Sequence, residues 1–423
     1  MSFSSVCVVG LGYIGLPTAA VLSSRKKKVI GVDINQGSVD IINAGNVHIV
    51  EPGLKNMVKE AVKSGFLRAV TSPEPADAFL IAVPTPFLKS IPEDLIPKPD
   101  ISYIESASRA IAKLLKKGDI VILESTSPVG TTEKMAAWLA QERHDLTFPQ
   151  THGSISDIRI AYCPERVLPG NMINELIQND RVIGGMTESC SEAAVEFYSS
   201  FVEGNCAITN ARTAEMTKLT ENASRDVGIA FANELSLICD HLDIDVWELI
   251  SLANRHPRVN ILQPGPGVGG HCIAVDPWFI VSKTPEQAPL IHTARKVNDA
   301  KPAWVIEKVK IEIANFLQEN SERTAKDVII ACYGLAFKPD IDDLRESPAL
   351  KITQQLANLQ HGRTLGVEPN IDKLPKDVVN IELVDFELAA EKADINLMLV
   401  GHKEFKNKNK NLKYLINTTG LWR

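Results

Sequence analysis

Short runs of apolar, β-branched residues alternate with amphipathic segments over the first part of the chain. The apolar runs have the length of buried strands and cover Val6–Val9, Lys28–Val32, Ala78–Val83 and Asp119–Glu124. Between two of them, Ile104–Leu115 has apolar residues at helical spacing and ends on two lysines and a glycine, which is typical of a helix terminus. This alternation predicts a parallel, doubly wound sheet.

The middle of the chain has a different pattern. Thr213–Leu242 contains no proline and one glycine, and its apolar residues recur every three or four positions. That pattern predicts one helix of about eight turns. A second helical pattern follows at Ala303–Leu317. Strand–helix alternation then returns, with strands expected at Val328–Tyr333, Thr364–Val367 and Ile395–Val400 and helices at Ala349–Leu359 and Phe386–Ala393.

The predicted fold is α/β, with two Rossmann-like doubly wound domains joined by a long helical connector. We expect the first domain to span residues 1–205, the connector 206–318 and the smaller second domain 319–423. A helix of this length suits a domain connector or a dimer interface. The sequence shows no internal repeat.

Composition and charge exclude several classes of protein. The 423 residues carry a net charge of −7, with 44% hydrophobic and 23% charged residues, which argues against a broad nucleic-acid-binding surface. The apolar runs are too short for a membrane span, and no secretory signal is visible. Seven scattered cysteines without a CxxC pair indicate reduced thiols and no zinc site. We therefore expect a cytoplasmic protein that has no metal, nucleic-acid partner or membrane partner.

A glycine motif follows the first predicted strand. Gly10, Gly12 and Gly15 form GxGxxG between that strand and a helix, where a pyrophosphate can approach the backbone and sit at the helix N-terminus. Asp33 ends the next strand, at the position expected for an acid that binds a ribose. Because Asp33 disfavours a 2′-phosphate, the motif predicts NAD in preference to NADP.

Two further strand ends are expected at the same crevice. Thr85 follows one buried strand in VPTP, and Thr126 follows another in ESTS. Ligands of such sheets bind beyond the carboxyl ends of the strands. Both threonines are therefore candidates to bind the cofactor, although either could be an ordinary turn residue.

A thiol stands in a loop rich in glycine and proline. The stretch GPGVGGHCIAVDPWF contains Cys272, where a bound ligand could reach the sulfur. Cys7, Cys239 and Cys332 occur in strand or helix patterns and are expected to be buried, as is Cys163. Whether Cys272 is reactive stays open on the residues alone, because a reactive cysteine needs an activating environment. The adjacent His271 is interpreted as structural.

Other polar residues accompany the thiol. Lys218, Asn222 and Arg225 share one face of the long predicted helix, which could be a cationic binding face or a solvated stripe. Glu165 follows the predicted strand Arg159–Tyr162 and is expected at the same crevice. Asp276 lies four residues beyond the thiol.

Together these motifs resemble the UDP-sugar 6-dehydrogenases, the UDP-glucose/UDP-mannuronate dehydrogenase family. The matching stretches are GLGYIGLPTA, VDINQ, HIVEPGL, VPTPF, ESTSPVGTTEKM, AYCPERVLPG, RTAEMTKLTEN, NRHPRVNILQPGPGVGGHCIAVDPWF and GLAFKPDIDDLRESPA. They cover nearly the whole chain in the family's order. NRHPRVN and GGHCIAVDPWF are more similar to the N-acetylmannosamine branch than to the glucose branch.

The resemblance implies a four-electron oxidation of the C6 alcohol of a UDP-sugar to a carboxylate, with two NAD per turnover. On this branch the sugar would be UDP-N-acetyl-D-mannosamine, and the product would serve surface polysaccharide synthesis of the enterobacterial common antigen or capsule type. By resemblance Cys272 is the nucleophile, and Lys218 stabilises the developing alkoxide or relays its proton, with Asn222 as a neutral donor. Asp276 and Thr126 position a water, and Glu165 is the base in thioester hydrolysis.

The resemblance also implies ligand contacts, with a site shared across a homodimer. The cofactor contacts implied are Gly10, Gly12, Tyr13, Ile14, Gly15, Asp33, Thr85, Thr126 and Arg345. The substrate contacts implied are Arg166, Val167, Lys218, Asn222, Arg225, His256, Arg258, Gly269 and Lys338. Arg258 is expected to reach the partner's site, whereas Arg345 could instead pair locally with Asp342 or Asp343. Thr419 stands where the family often has a basic residue, which puts affinity in doubt more than reaction type.

Three alternatives stay open at this point. The first is a UDP-glucose or another UDP-hexosamine 6-dehydrogenase with the same chemistry. The second is a two-electron NAD dehydrogenase in which Cys272 takes no part. The third is a nucleotide-sugar sensor that binds without turnover.

Overall fold

The structure is a computed structural model that describes residues 3–88, 96–167, 170–270, 272–359, 362–408 and 412–422. The chain divides into two compact units, one ending at Glu221 and the other beginning at Asn222. Each unit contains a sheet with helices. The predicted boundaries at 205/206 and 318/319 stay predictions.

In the described part of the first unit, eight strands form one sheet in the order β3-β2-β1-β4-β5-β6-β7-β8. The strands are β1 Ser5–Val9, β2 Lys28–Val32, β3 Leu67–Val70, β4 Ala78–Ile81, β5 Ile120–Leu123, β6 Arg159–Tyr162, β7 Arg181–Gly185 and β8 Cys206–Asn210. The helices are α1 Gly15–Ser24, α2 Gln36–Asn43, α3 Leu54–Lys63, α4 Ser102–Ala112, α5 Thr131–Glu142, α6 Pro149–His152, α7 Met172–Gln178 and α8 Glu188–Tyr198. Neighbouring strands are parallel except β6 and β7, which pair antiparallel.

The 31-residue helix α9, Ala211–His241, runs across the division between the units. In the described part of the second unit, five parallel strands form a sheet in the order β11-β10-β9-β12-β13. The strands are β9 Ile330–Tyr333, β10 Thr364–Val367, β11 Ile381–Leu383, β12 Ile395–Met398 and β13 Leu415–Asn417. The helices are α10 Val246–Ala253, α11 Asp276–Lys283, α12 Pro289–Glu319, α13 Pro348–Ala357 and α14 Phe386–Lys392.

The predicted fold class is confirmed, because both sheets are covered on two faces. Successive side chains of β1 enter different cores: Val6 and Val8 pack in one cluster, and Cys7 and Val9 in another. The strand β9 divides its side chains between two clusters in the same way. Alternation with a period of two therefore places an apolar layer on each face of each sheet.

One helix is much longer than predicted. The sequence pattern predicts a helix at Ala303–Leu317, but α12 begins at Pro289 and contains Pro302 in its interior. An interior proline normally interrupts or kinks a helix, which is why the pattern suggested a start beyond it. Buried side chains on both sides of this proline, Asn298 and Val305 among them, keep the helix continuous.

The two sheets begin with the same backbone turn, although the sequence shows no repeat. Gly10 follows β1 with a φ of 95°, and Gly334 follows β9 with a φ of 84°. The N–H of Gly10 donates to the carbonyl of Val32 at 2.8 Å, and the N–H of Gly334 donates to that of Val367 at 2.8 Å. In both sheets the glycine thus ties the first strand to the end of the second.

An acid follows the second strand in both turns, but its surroundings differ. Leu11 N–H donates to Oδ2 of Asp33 at 3.2 Å, and Leu335 N–H donates to Oε2 of Glu368 at 2.7 Å. Asp33 is half-buried. Glu368 is buried, and its Oε2 also lies 2.9 Å from Nε2 of the buried His402.

Candidate active site

The GxGxxG turn uses its three glycines for different reasons. A Cβ on Gly15 would lie 1.8 Å from the carbonyl oxygen of Gly10, and a Cβ on Gly10 would lie 2.5 Å from that of Ala82. A Cβ on Gly12 would meet nothing within 4 Å. The protein itself therefore requires Gly10 and Gly15, whereas the bare backbone at Gly12 faces open space.

This open turn fits a dinucleotide. Helix α1 begins at Gly15, so its unpaired N–H groups and its dipole favour an anion there. The hydrogen bond from Leu11 holds the Asp33 carboxylate beside the same turn, where a ribose would be bound. Tyr13 is exposed, Ile14 is half-buried and both lie in this turn, as predicted. These residues could hold NAD.

The two threonine-bearing loops meet, as the sequence predicts. The Thr85 hydroxyl donates to the carbonyl oxygen of Thr126 at 2.8 Å. This bond joins the carboxyl ends of β4 and β5, which pair side by side. The bond favours a positioning role for Thr85; its predicted contact with the cofactor stays a prediction.

A buried cluster of ionisable groups lies behind the end of β6. Nη1 of Arg181 donates to Oε2 of Glu165 at 2.7 Å, and the Tyr198 hydroxyl donates to Oε1 of Glu124 at 2.6 Å. Burial, reinforced by the negative charge of Glu165, raises the pKa of Glu124 to about 7. Burial also raises the pKa of the Cys163 thiol to about 12, which agrees with its predicted structural role.

Sequence reasoning identified Glu165 but missed Glu124, Arg181 and Tyr198. Their positions along the chain are far apart, and each is an unremarkable residue in its own segment. The available signal was that Glu124 directly follows β5, just as Glu165 comes shortly after the neighbouring β6.

Arg166 contacts this cluster through its backbone, and its side chain has another ionic partner. Its backbone N–H donates to Oε1 of Glu165 at 2.6 Å, whereas its guanidinium forms an ion pair with Glu221 at 2.6 Å. The neighbouring Val167 is half-buried against the apolar core. Glu221 of α9 is thus paired with Arg166. This ion pair is not expected if the polar face of α9 is only a solvated stripe.

The predicted face of α9 exists, and one of its members has a defined partner. Lys218 and Asn222 are half-buried, and Arg225 is exposed. Nδ2 of Asn222 donates to Oδ2 of Asp276 at 2.5 Å. Asp276 is buried in the first turn of α11, so two predicted catalytic residues are brought together in the second unit.

Cys272 is exposed in its glycine loop, and the adjacent His271 lies outside the described residues. The loop's glycines have packing reasons of their own. A Cβ on Gly269 would lie 2.5 Å from the carbonyl oxygen of Glu346, and one on Gly270 would lie 3.0 Å from the ring of Phe337. The bare backbone therefore lets the loop lie close to the second sheet's connections.

The remaining predicted ligand contacts lie in the second unit. His256 and Arg258 are exposed, and Lys338 is half-buried. The exposed Arg345 forms an ion pair with Asp343 at 2.6 Å, so the local pairing considered from the sequence does occur. Thr419 N–H donates to the Asn417 side chain at 3.1 Å within a turn.

One group of residues has metal-ligand chemistry. Asp340, His402 and Glu404 bring ligand atoms within 4.8 Å of one another. However, Nδ1 of His402 accepts the Asp340 N–H at 2.9 Å, and Nε2 lies 2.9 Å from Glu368. Both ring nitrogens are engaged, so a metal would have to displace one of these bonds. Independence from metal stays a prediction.

Within the described residues, no helix combines the length and apolarity that a membrane crossing requires.

Comparison with known proteins gives consistent matches along the chain. Three domains of the UDP-glucose/GDP-mannose dehydrogenase family match it: the NAD binding domain at residues 4–202, the central domain at 212–300 and the UDP binding domain at 331–421. The UDP-N-acetyl-D-mannosamine dehydrogenase of Yersinia pestis is 61% identical over 427 aligned positions, which cover 100% of both chains. An NDP-N-acetyl-D-galactosaminuronic acid dehydrogenase of Ralstonia nicotianae is 59% identical over 100% of this chain and 97% of its own.

A solved structure agrees with these matches. The UDP-N-acetyl-mannosamine dehydrogenase Cap5O of S. aureus superimposes with a TM-score of 0.84 at 40% identity, over 99% of this chain and 96% of that one. The protein is thus an NAD-dependent oxidoreductase, and it belongs to the UDP-glucose/GDP-mannose dehydrogenase family.

Proposed function

We propose that this protein oxidises C6 of UDP-N-acetyl-D-mannosamine and yields UDP-N-acetyl-D-mannosaminuronate. The observation that carries the proposal is the 61% identity, over the full length of both chains, to a dehydrogenase named for that sugar. The UDP binding domain matched at residues 331–421 supports a UDP-sugar substrate. The product would serve surface polysaccharide synthesis in the cytoplasm, where thiols stay reduced.

The first oxidation converts the C6 alcohol to an aldehyde. When bound, NAD would supply the hydride acceptor that C6 needs in both oxidations. In the first, the hydroxyl proton is lost as the C–H bond breaks, and negative charge develops on the oxygen. Lys218 and Asn222 would stabilise that charge, because they lie one turn apart on the same face of α9.

The second oxidation needs a covalent bond to the protein. The Cys272 sulfur would add to the aldehyde carbon, and the aldehyde oxygen would take up a proton to give a thiohemiacetal. That adduct keeps one C–H bond, so a second hydride can leave from carbon while the hydroxyl loses its proton, and a thioester remains. The exposure of Cys272 in its loop supports this role because a sugar can reach the sulfur.

Hydrolysis completes the cycle. A water oxygen would bond to the acyl carbon while the carbon–sulfur bond breaks, which releases the carboxylate and restores the thiol. Thr126 and Asp276 would position the water, and Glu165 would take its proton. The part-buried bond from Asn222 to Asp276 supports a fixed orientation for that carboxylate.

NAD would be held by Gly10, Gly12, Tyr13, Ile14, Gly15, Asp33, Thr85, Thr126 and Arg345. The sugar nucleotide would be held by Arg166, Val167, Lys218, Asn222, Arg225, His256, Arg258, Gly269 and Lys338. Guanidinium groups suit diphosphate oxygens because they can donate two bonds at once.

A homodimer belongs to the same proposal. Helix α9 exposes apolar side chains that a second copy could cover: Phe231 is 54% exposed and Ile238 is 45% exposed. These residues lie seven apart, so they share one side of the helix. Light scattering on the purified chain tests this, and a monomer at micromolar concentration would contradict it.

A second candidate substrate comes from the relative of Ralstonia nicotianae, named for an N-acetyl-D-galactosaminuronic acid. Its 59% identity is close to that of the mannosamine enzyme, so another UDP-N-acetylhexosamine is the main alternative. UDP-glucose is a further one.

The test is the NADH yield with limiting UDP-N-acetylmannosamine beside UDP-N-acetylgalactosamine, UDP-N-acetylglucosamine and UDP-glucose. We expect two NADH per UDP-N-acetylmannosamine and little from the others. Two NADH from another sugar would keep the chemistry and overturn the substrate. A yield of one would remove Cys272 from the reaction and favour a two-electron dehydrogenase, and binding without NADH would indicate a sensor.

A further inference from the structure

The segment that carries Cys272 is held at both ends by side chains of α9. At its start, the N–H of Gly265 donates to Oδ1 of Asn233 at 2.9 Å. At its end, Nδ2 of Asn222 donates to Oδ2 of Asp276 at 2.5 Å. The two asparagines are eleven residues apart, which is close to three helical turns, so they lie on the same side of α9.

The segment from Gly265 to Asp276 is longer than the distance between these two side chains requires. Eleven residues of helix rise about 16 Å. A fully extended stretch from Gly265 to Asp276 could span about 36 Å. The stretch is therefore longer than the distance between its two attachment points, and the position of the thiol depends on where each end is held.

The loop supplies few side chains to fix itself. Glycine and proline make up most of its first half, and glycine loses more conformational freedom on ordering than any other residue. Packing of Gly267 against Pro302 and Pro348 restrains the residues that follow this start, and the close contacts of Gly269 and Gly270 described above restrain the next ones. The entry to the loop is restrained by the bond from Gly265 to Asn233.

Asn233 is itself locked in one orientation. It is fully buried, and its Nδ2 donates to Oδ1 of Asn298 at 2.8 Å. Nδ2 of Asn298 in turn donates to Oδ1 of Asp226 at 2.8 Å, and Arg295 donates to the same oxygen at 2.6 Å. A flipped Asn233 amide would set donor against donor at Gly265 and acceptor against acceptor at Asn298. The buried network thus fixes which atom faces the loop.

We propose that Asn233 is a positioning residue that sets the Cys272 loop for capture of the aldehyde. The inference rests on the proposed function, in which the thiol must add to the aldehyde before the sugar dissociates. Asn233 touches neither sulfur nor substrate in this role; it acts through the backbone of Gly265. Its loss should impair the second oxidation and leave the first largely intact.

Two substitutions remove the bond from opposite sides, and each has a matched control. Asn233→Ala removes the acceptor, and Asn233→Asp keeps an oxygen there while losing the bond to Asn298. Gly265→Pro removes the N–H, and Gly265→Ala keeps it. Residue 265 tolerates a side chain because its Cβ would lie 4.0 Å from the nearest heavy atom, the oxygen of Gly267, and its φ lies outside the left-handed region.

The readout is the NADH yield per sugar with and without semicarbazide, which traps free aldehyde. The wild-type protein and both control variants should give two NADH in either condition. Asn233→Ala and Gly265→Pro should fall towards one NADH with the trap, with the adduct detected by mass spectrometry. Their overall kcat should drop about tenfold, the scale of one lost buried hydrogen bond, while KM for the sugar changes less than about twofold.

If folded Asn233→Ala or folded Gly265→Pro still gives two NADH per sugar with semicarbazide present, the inference is overturned. Equal release of aldehyde by Asn233→Asp and Asn233→Ala would overturn it too, because the effect would then come from the lost bond to Asn298 and not from the bond to Gly265. The two disrupting substitutions lie in different elements, so misfolding of one leaves the other to decide. Failure of the proposed function looks different: the wild-type protein itself would not give two NADH, or Cys272→Ala would still do so.

Discussion

The same added methyl group should reduce stability at one glycine of the GxGxxG turn and affinity for NAD at another. In Gly15→Ala the new Cβ would lie 1.8 Å from the carbonyl oxygen of Gly10. Both atoms belong to the backbone, so the turn and α1 have to move apart. We expect a cost of about 3 kcal/mol. For a folding unit of this size that lowers the melting temperature by about 6–12 °C.

In Gly12→Ala the new Cβ meets nothing within 4 Å, and the stability should change by less than about 1 kcal/mol. The methyl group would instead occupy the surface that the pyrophosphate approaches, so the Kd for NAD should rise at least about tenfold. Thermal unfolding without ligand and calorimetric titration with NAD measure the two effects separately. A normal Kd for Gly12→Ala, or an unchanged melting temperature for Gly15→Ala, would refute the reasoning.

Three further predictions follow from the buried cluster and from the second unit. The pKa of Glu124 is raised from 4.5 to about 7, so the stability that its neutral form contributes is full below pH 4.5 and is lost as the pH rises towards 7. Glu124→Gln cannot ionise, so in urea unfolding its stability relative to the wild-type protein should rise by about 3 kcal/mol between pH 4 and pH 8. A stability difference that does not vary with pH would contradict this. Glu165→Gln should release two NADH per site in the first turnover and then stall as a thioester, with kcat reduced about 100-fold; stopped-flow absorbance without a burst would exclude the role as base. Arg345→Ala should change stability by less than about 0.5 kcal/mol, because its ion pair with Asp343 is exposed, and should raise the KM for NAD about tenfold; an unchanged KM would leave only the local pair.

Much of the fold could be predicted because the signals are local. The period of two in the strands and the glycine turn with Asp33 each depend on neighbouring residues, and the structure places Asp33 beside the turn as expected. Strand ends fall within a few residues of their predicted positions. The meeting of Thr85 and Thr126 could also be predicted, since parallel strands bring their carboxyl ends to one edge.

The buried polar contacts could not be predicted, because they join residues that are distant along the chain. Asn233 and Asn298 are 65 positions apart, and each has the spacing of an ordinary polar residue on a long helix. Pro302 gave a misleading signal for the opposite reason. Its local preference against helix is strong, but the packing of a 31-residue helix outweighs it.

The shared turn of the two sheets has a consequence for ligand selection. Both sheets have the same strand–glycine–strand arrangement, but the acid of the first turn is accessible and the acid of the second is enclosed. Asp33 is half-buried, whereas Glu368 is buried against His402 and the backbone of Leu335. The carboxylate of Glu368 is thus engaged by bonds within the protein, so it does not offer its oxygens to the hydroxyls of a ribose. Of the two turns, the first therefore leaves its acid accessible to a dinucleotide.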